Sequence, residues 1–520
     1  MPTTDLAEAP ALELTGRDLT VAQVVDVARH GLGVGIPAEA RLRMEASRSV
    51  IERVVAEGRT VYGVTTGFGD LADVRIEPAQ TADLQRNLVR SHAAGAGVPL
   101  PTDVVRAMLV LRANGLAVGL SGVRVAVAEL LCGMLNAGVH PIIPSRGSVG
   151  ASGDLAPLAH LALVAIGEGE AEVGGSTMPG AAALASSGLE PLTLEAKEGL
   201  ALLNGTQLMA GIGALAAADA RRLAKTADVI GAMSLEAMEG TGAAFAEALI
   251  AARPHPGQAS SARHLRALLA DSEIGAAHRD SPHRVQDAYS LRCMPQVHGA
   301  VLDVIDHLER VVSIEINAAT DNPLVFPPTG EHPDGEVISG GNFHGEPLAL
   351  ALDYAKAAVT ELASISERRT ARLTDGHHSG LPPFLSEHPG VESGLMIVQY
   401  TAAALVNELQ TLAHPSSIDT IPTSADQEDH VSMGATSALH LLEVIDRTTT
   451  VLAIEGLCAA QGLDFRAPMI PGVGVARAQA LVRSVVPHLE ADRPPAPDIG
   501  AVRELVVDGR LLAAGDASDR

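Results

Sequence analysis

The residues best suited to chemistry fall in one stretch, Gly147-Ser148-Val149-Gly150-Ala151-Ser152-Gly153-Asp154, followed by the helix-like run Leu155 to Ile166. Asp154 stands where an N-cap belongs, and Pro157 sits in the first turn, where a missing N–H costs nothing. Three readings fit these residues. Small side chains in a tight turn need no function. A nucleophilic Ser152 would make a serine hydrolase open to organophosphonate labelling, but the hydrolase elbow G-x-S-x-G requires Gly at 154, where Asp stands. The third reading uses the backbone itself. Attack of the Gly153 amide nitrogen on the Ala151 carbonyl carbon closes a five-membered ring, and loss of water from Ser152 leaves an exocyclic methylidene. Gly153 leaves that nitrogen unobstructed, Ala151 shields its carbonyl least, and the positive end of the following helix would sharpen the electrophile.

Few other residues suggest chemistry unaided. Tyr62 precedes Gly63, Gly67 and Gly69, which alone read as any Gly-rich loop. Asn204-Gly205 is a turn signal, and Arg292 reads as a helix-surface cation. His255, His377, His378, His414 and His430 show no H-E-x-x-H or other metal spacing. Cys132, Cys293 and Cys458 are odd in number and form no C-x-x-C pair. No catalytic metal is expected, nor a disulfide framework, and a reducing cytosol fits. Gly175-Ser176-Thr177-Met178-Pro179 has some likeness to the fumarase and argininosuccinate lyase signature but lacks its spacing and its following Lys and Asn.

The elements that hold these residues must be built with few aromatic side chains: 4 Tyr, 6 Phe and no Trp in 520 residues. With 47% apolar residues, the core is expected to rest on Ala, Leu, Val and Ile in close helix–helix packing. Lys plus Arg number 37 against 62 Asp plus Glu, a net charge of −25 that disfavours nucleic acid. Mean hydropathy of +0.21 excludes a disordered chain. The acidic start MPTTDLAEAP lacks the basic and apolar parts of a signal peptide, and no unbroken apolar run of about 18 residues suggests a membrane span; a cytoplasmic protein is expected. Residues 1–17 and 513–520 read as tails. Residues 18–215, with β-branched runs at Thr60 to Thr65 and Val139 to Ile143, read as a mixed N-terminal domain. Residues 216–512 read as a long helical bundle: Val301, Val304, Ile305, Leu308, Val311 and Val312 share one face, as do Leu348, Leu352, Ala355, Val359, Leu362 and Ile365. Windows at Leu395 to Leu412 and Met433 to Leu463 repeat the pattern, with a connector at Pro382-Pro383. The fold class is therefore mainly α.

Taken with its surroundings, the loop resembles that of the aromatic amino acid ammonia-lyases that carry a methylidene-imidazolone (MIO) group. Ala151-Ser152-Gly153, within GSVGASGDLAPLAH, stands where that family's cyclising tripeptide does. Further matching blocks are VYGVTTGFG from Val61, LQRNLVRSHAAGAG from Leu84, KEGLALLNGTQ from Lys197, RPHPGQ from Arg253, VQDAYSLRCMPQVHGA from Val285, DNPLVF from Asp321, SGGNFHGEP from Ser339, SERR from Ser366, GLPPFL from Gly380 and TSADQEDHVSMG from Thr423. The resemblance spans roughly residues 18 to 500. It implies a mixed N-terminal region carrying the MIO, a central helical bundle of the aspartase/fumarase kind, and a homotetramer whose active sites are each shared among three subunits. No external cofactor is implied.

The resemblance also assigns roles. Tyr62 becomes the base; a free phenol has a pKa near 10 and must be lowered to act at neutral pH. Arg292 clamps the substrate carboxylate through a planar guanidinium. Tyr289 assembles or positions the electrophile, Asn204 hydrogen-bonds beside it, and Phe343 packs against it or the substrate ring. His92, Gln286 and Glu428 match imidazole-handling positions, and Glu428 offers a carboxylate for proton transfer. Ala93 and Gln207, with Glu428, favour the histidine-acting branch, which converts L-histidine to trans-urocanate and ammonia. Two departures are Val118, where relatives usually place a basic or polar residue, and Asp426, where Asn or Met is more common. The alternatives are an MIO enzyme acting on tyrosine or phenylalanine, an aminomutase, and a helical scaffold without catalysis. Tyr62, Phe68, Tyr289, Phe343, Phe384 and Tyr400 lie in or beside the matching blocks, so the few aromatics gather where chemistry is expected.

Overall fold

The computed structural model describes residues 12–67, 76–77, 80–278 and 285–516; Phe68 and Gly69, named above, lie outside them. Among the described residues are 21 α-helices and nine strands of two to four residues, so the chain is mainly α as expected. No described helix is long and apolar enough to cross a membrane. The chain divides into two compact units. The first contains residues 1–218, 308–352 and 415–439; the second contains 219–307, 353–414 and 440–520.

All nine strands belong to the first unit, in small sheets that pin loops. Leu12–Glu13 pairs in parallel with Val34–Gly35, so residues 12–17, expected in a tail, begin the fold, and Leu14 is fully buried. Ala96–Pro99 pairs antiparallel with Pro144–Arg146, which leads directly into the Gly147 loop. Glu170–Val173 lies between His140–Pro141 and Ser176–Pro179, which makes the Gly175 segment a hairpin. Most of this unit is nonetheless helical. Helix Thr102–Ala117 is buried on every side along most of its length, its polar Arg106, Arg112 and Asn114 included. Val125–Ala137 packs against it and stops at Gly138, in the left-handed region at φ 69°.

The β-branched run Thr60 to Thr65 is a turn. The Val61 carbonyl accepts from the amides of Val64 and Thr65, and the Thr65 hydroxyl donates to the Arg59 carbonyl at 2.6 Å. Side-chain satisfaction of the backbone overrides β propensity here.

The second unit is all helical among its described residues. The expected periodic faces are buried in helices Met294–Glu315 and Glu346–Thr374, of which residues 294–307 and 353–374 belong to this unit and the rest to the first, except that Val311 is only half-buried. Met396–Leu412 and Gly434–Asp464 fill the other two windows. Its core is Ala, Leu, Val and Ile, with Phe245 the one fully buried aromatic side chain among the described residues. Part of the missing volume is supplied by cations: Arg112 and Lys197 in the first unit, Arg369 and Lys356 in the second, rank among the largest fully buried side chains. Arg369 bonds both oxygens of buried Glu455, at 2.5 and 2.9 Å. Asp228 accepts from Ser261, His264 and His298.

Candidate active site

The loop ahead of helix Leu155–Ala165 is held almost entirely through its backbone. The Val149 carbonyl accepts from Met433 N at 2.9 Å, and the Gly150 carbonyl accepts from Gly345 N at 3.1 Å and Ser432 Oγ at 3.0 Å. Asp154 N donates to the Gly205 carbonyl at 2.7 Å, and Asn204 Nδ2 donates to the Ser152 carbonyl at 3.0 Å. Gly153 has φ 74°, and a Cβ there would lie 2.1 Å from the Gly205 oxygen. Only glycine fits between these two backbones.

Asp154 occupies the N-cap position of helix Leu155–Ala165 but makes no side-chain cap there. Its carboxylate instead accepts from Leu208 N at 2.9 Å and Met209 N at 3.1 Å, the first amides of helix Gln207–Ala237, and from Ser148 Oγ at 2.8 Å. Burial pushes its pKa up to about 6, against the pull of those donors. The two loop ends are thereby tied to another helix's positive end.

Behind Asn204 lies a buried polar frame. Arg112 Nη1 donates to the Asn204 carbonyl at 2.7 Å and to Gln207 Oε1 at 3.0 Å, and Gln207 Nε2 donates to Thr320 Oγ1 at 3.1 Å. Lys197 Nζ pairs with Asp321 at 2.7 Å, both side chains being buried. Burial lowers the pKa of Arg112 and of Lys197. Gln207, assigned above to substrate choice, is engaged in this frame. Asn204-Gly205 is no simple turn: it closes helix Glu198–Leu203 and turns the amide of Asn204 onto Ser152.

In front of the loop is a cavity of about 430 Å³, whose walls include Tyr62, Ala151, Ser152, Asn204, Phe343 and Glu428. Six residues singled out from the sequence thus meet at one place. Ser152 Oγ donates to Glu428 Oε1 at 2.7 Å, and Thr423 Oγ1 donates to Glu428 Oε2 at 2.8 Å. The Glu428 backbone pairs with Thr423 across a turn whose residues Ser424, Ala425 and Asp426 all have positive φ. Asp tolerates that conformation better than most side chains, which suits the departure at 426.

The other assigned residues are elsewhere. His92 ends helix Thr81–His92 and directs Nδ1 to the Leu88 carbonyl at 2.9 Å. Gln286, Tyr289 and Arg292 belong to the second unit, where Gln286 lines a separate cavity of about 930 Å³. Tyr289–Arg292 is a single helical turn; Tyr289 is 73% exposed and the Arg292 guanidinium lies 5.1 Å from its ring centre. The sequence reading missed His344, Asn322, Ser339 and Asp429 and discounted His430, all of which line the 430 Å³ cavity. Their signal was present in the same SGGNFHGEP, DNPLVF and QEDH blocks. Among the described residues, no three His, Cys, Asp or Glu side chains gather as a metal site.

A family profile, aromatic amino acid lyase, matches residues 19–484. The chain belongs to this family. It is 54% identical over 508 residues to histidine ammonia-lyase of Gloeobacter violaceus, covering 98% of each chain. Among solved structures, histidine ammonia-lyase from Trypanosoma cruzi superposes with a TM-score of 0.90 at 43% identity, covering 97% of this chain and 95% of that one. Tyrosine aminomutase from Streptomyces globisporus superposes at 0.91 with 38% identity, covering 98% and 100%. As an aromatic amino acid lyase with such relatives, the protein is a carbon–nitrogen lyase.

Proposed function

We propose that this lyase eliminates ammonia from L-histidine to give trans-urocanate, the entry step of histidine degradation. The observation that carries the proposal is the setting of Ser152: its hydroxyl on Glu428, its carbonyl on Asn204, and its neighbour Gly153 where no Cβ fits. These residues suit an MIO group made from Ala151, Ser152 and Gly153. The Ser152 hydroxyl that must leave already has a carboxyl partner, and the buried Oδ1 of Asn204 has no hydrogen-bond partner among the described residues, an acceptor held beside the tripeptide. Once formed, the group supplies an electrophile for the substrate amine.

The remaining work is done by ordinary side chains. The Tyr62 phenolate oxygen takes the β-hydrogen as a proton, the electron pair left behind becomes the Cα–Cβ double bond, and ammonia departs with the electrons of the carbon–nitrogen bond. Arg292 holds the carboxylate in two parallel hydrogen bonds. His92, Gln286 and Glu428 partner the imidazole, whose buried ring N–H would cost about 1–3 kcal/mol if left unpaired. Tyr289 positions the tripeptide, and Phe343 closes the apolar side. Tyr289 and Arg292 belong to the other unit and Tyr289 is exposed, which supports a homotetramer in which neighbouring subunits complete each site. Residues 18–215 serve as the MIO-bearing domain and 216–512 as the bundle. Three free cysteines suit the cytoplasm.

The test is to supply the purified protein with histidine, tyrosine and phenylalanine while weighing the intact chain. Urocanate from histidine alone, a mass two waters below the sequence value and a native mass of four subunits are expected. An unmodified mass would overturn the MIO assignment. A β-amino acid formed from tyrosine would favour an aminomutase, to which the 38% identity with tyrosine aminomutase lends weight.

A further inference from the structure

Two loops, residues 339–346 and 423–434, contribute to the lining of the cavity, and each also grips the tripeptide loop. Gly345 N and Ser432 Oγ share the Gly150 carbonyl, and Met433 N takes the Val149 carbonyl. A third connection joins the two loops directly. His344 Nε2 lies 3.1 Å from the His430 carbonyl, while its Nδ1 receives the amide of Glu346 at 3.3 Å. Since Nδ1 accepts, the proton resides on Nε2, and His344 donates to His430. The two imidazole rings lie 5.9 Å apart, tilted by 39°.

His430 follows Glu428 by two residues, just beyond a turn whose residues Ser424, Ala425 and Asp426 have positive φ, and the next residue, Val431, is held through its N–H by Thr420 Oγ1 at 2.8 Å. Thr423 fixes Glu428 from one side of that turn. The hydrogen bond from His344 fixes the chain on the other. We propose that His344 is a positioning residue: by donating Nε2–H to the His430 carbonyl it holds Glu428 within hydrogen-bond reach of the Ser152 hydroxyl. The inference rests on the MIO-lyase reading of the site.

The geometry dictates the test. A Gln side chain places its amide nitrogen near the position of Nε2 and can still reach the His430 carbonyl. Asn reaches only the position of Nδ1: it can meet the Glu346 amide but not His430. H344Q, H344N and H344A are therefore compared in the full-length protein by intact mass, kcat, KM and Tm. Wild type is run first; a chain without the two-water loss, or one that makes no urocanate, overturns the underlying reading and not this inference alone.

With wild type behaving as an MIO lyase, H344A and H344N are expected to lose about 10- to 100-fold in kcat, the range of a misplaced proton-transfer group. A larger share of chains should retain the unmodified mass, with Tm near wild type. H344Q should recover activity to within about threefold. Equal activity in all four proteins, or equal losses in H344Q and H344N, would overturn the proposal. Should H344A fail to fold, the contrast between H344Q and H344N decides it.

Discussion

In the first unit, buried polar groups converge on a single loop: Asp154 ties it to the start of helix Gln207–Ala237, and Arg112 braces Asn204 behind it. In the second unit, Arg369 with Glu455, and Asp228 with His264 and His298, join one helix to another within an aliphatic core. Desolvation is similar in the two places, yet the ions answer different needs. One set positions the backbone proposed to form the MIO; the other fills and locks a core short of aromatic side chains. Damage to the first should therefore appear in chemistry, and damage to the second in stability.

The largest effect should come from Ser152→Ala, which removes the hydroxyl that must leave. We expect activity to fall by roughly 10³-fold or more, an unshifted intact mass and an unchanged Tm. Next is Arg369→Met, which leaves the buried Glu455 without its counter-ion, with Ser234 Oγ still donating to it. A loss of about 3–5 kcal/mol is expected from denaturant titration, with any fall in kcat per folded chain, transmitted through the Ser290 carbonyl that Arg369 also holds at 3.3 Å, far smaller than that of Ser152→Ala. If Arg369→Met instead removed activity at full stability, the division between the units would fail.

A smaller effect sharpens the same contrast. Burial pushes Glu236 up to about 7, partly offset by donors from Ser272 and Gly472. Its folded pKa lies above the unfolded one, so its contribution is complete below about pH 4.5 and is lost as pH rises through about 7. Glu236→Gln should flatten that decline and raise Tm by a few degrees at pH 8 but not at pH 5, as followed by thermal melts. Least of all, Val118→Lys should leave kcat/KM within about twofold. Val118 closes helix Thr102–Ala117 and does not line the 430 Å³ cavity, so steady-state kinetics should barely register the change.

Much of the site was legible in the sequence because its members sit in compact blocks that resemble those of a known family, although Tyr62 and Asn204 carried little signal on their own. Ser152, Tyr62, Asn204, Phe343 and Glu428 were found this way, and the structure gathers them. What escaped was long-range. Asp154 obeys a local capping rule in its position and breaks it in its bonds, because its partners lie 54 and 55 residues further along. His430 was set aside because it shows no metal spacing, and His344 escaped because a hydrogen bond to a carbonyl leaves no trace in residue type. The helices beyond residue 216 followed from periodicity. Those of the N-terminal region were obscured by Gly and Pro breaks that mark loop ends, and composition alone could not reveal that Arg112, Lys197, Lys356 and Arg369 lie inside.

The close approach of Gly153 to Gly205 limits how such a site can diversify. Most enzymes alter their reagents by exchanging one side chain for another. In the proposed MIO the reagent is cut from main chain, and the Gly205 carbonyl oxygen would lie 2.1 Å from any Cβ added at Gly153. That leaves no alphabet in which to vary it. A change of substrate must instead be written on the facing loops, where Phe343, His344 and Glu428 stand, while the centre of the site stays fixed.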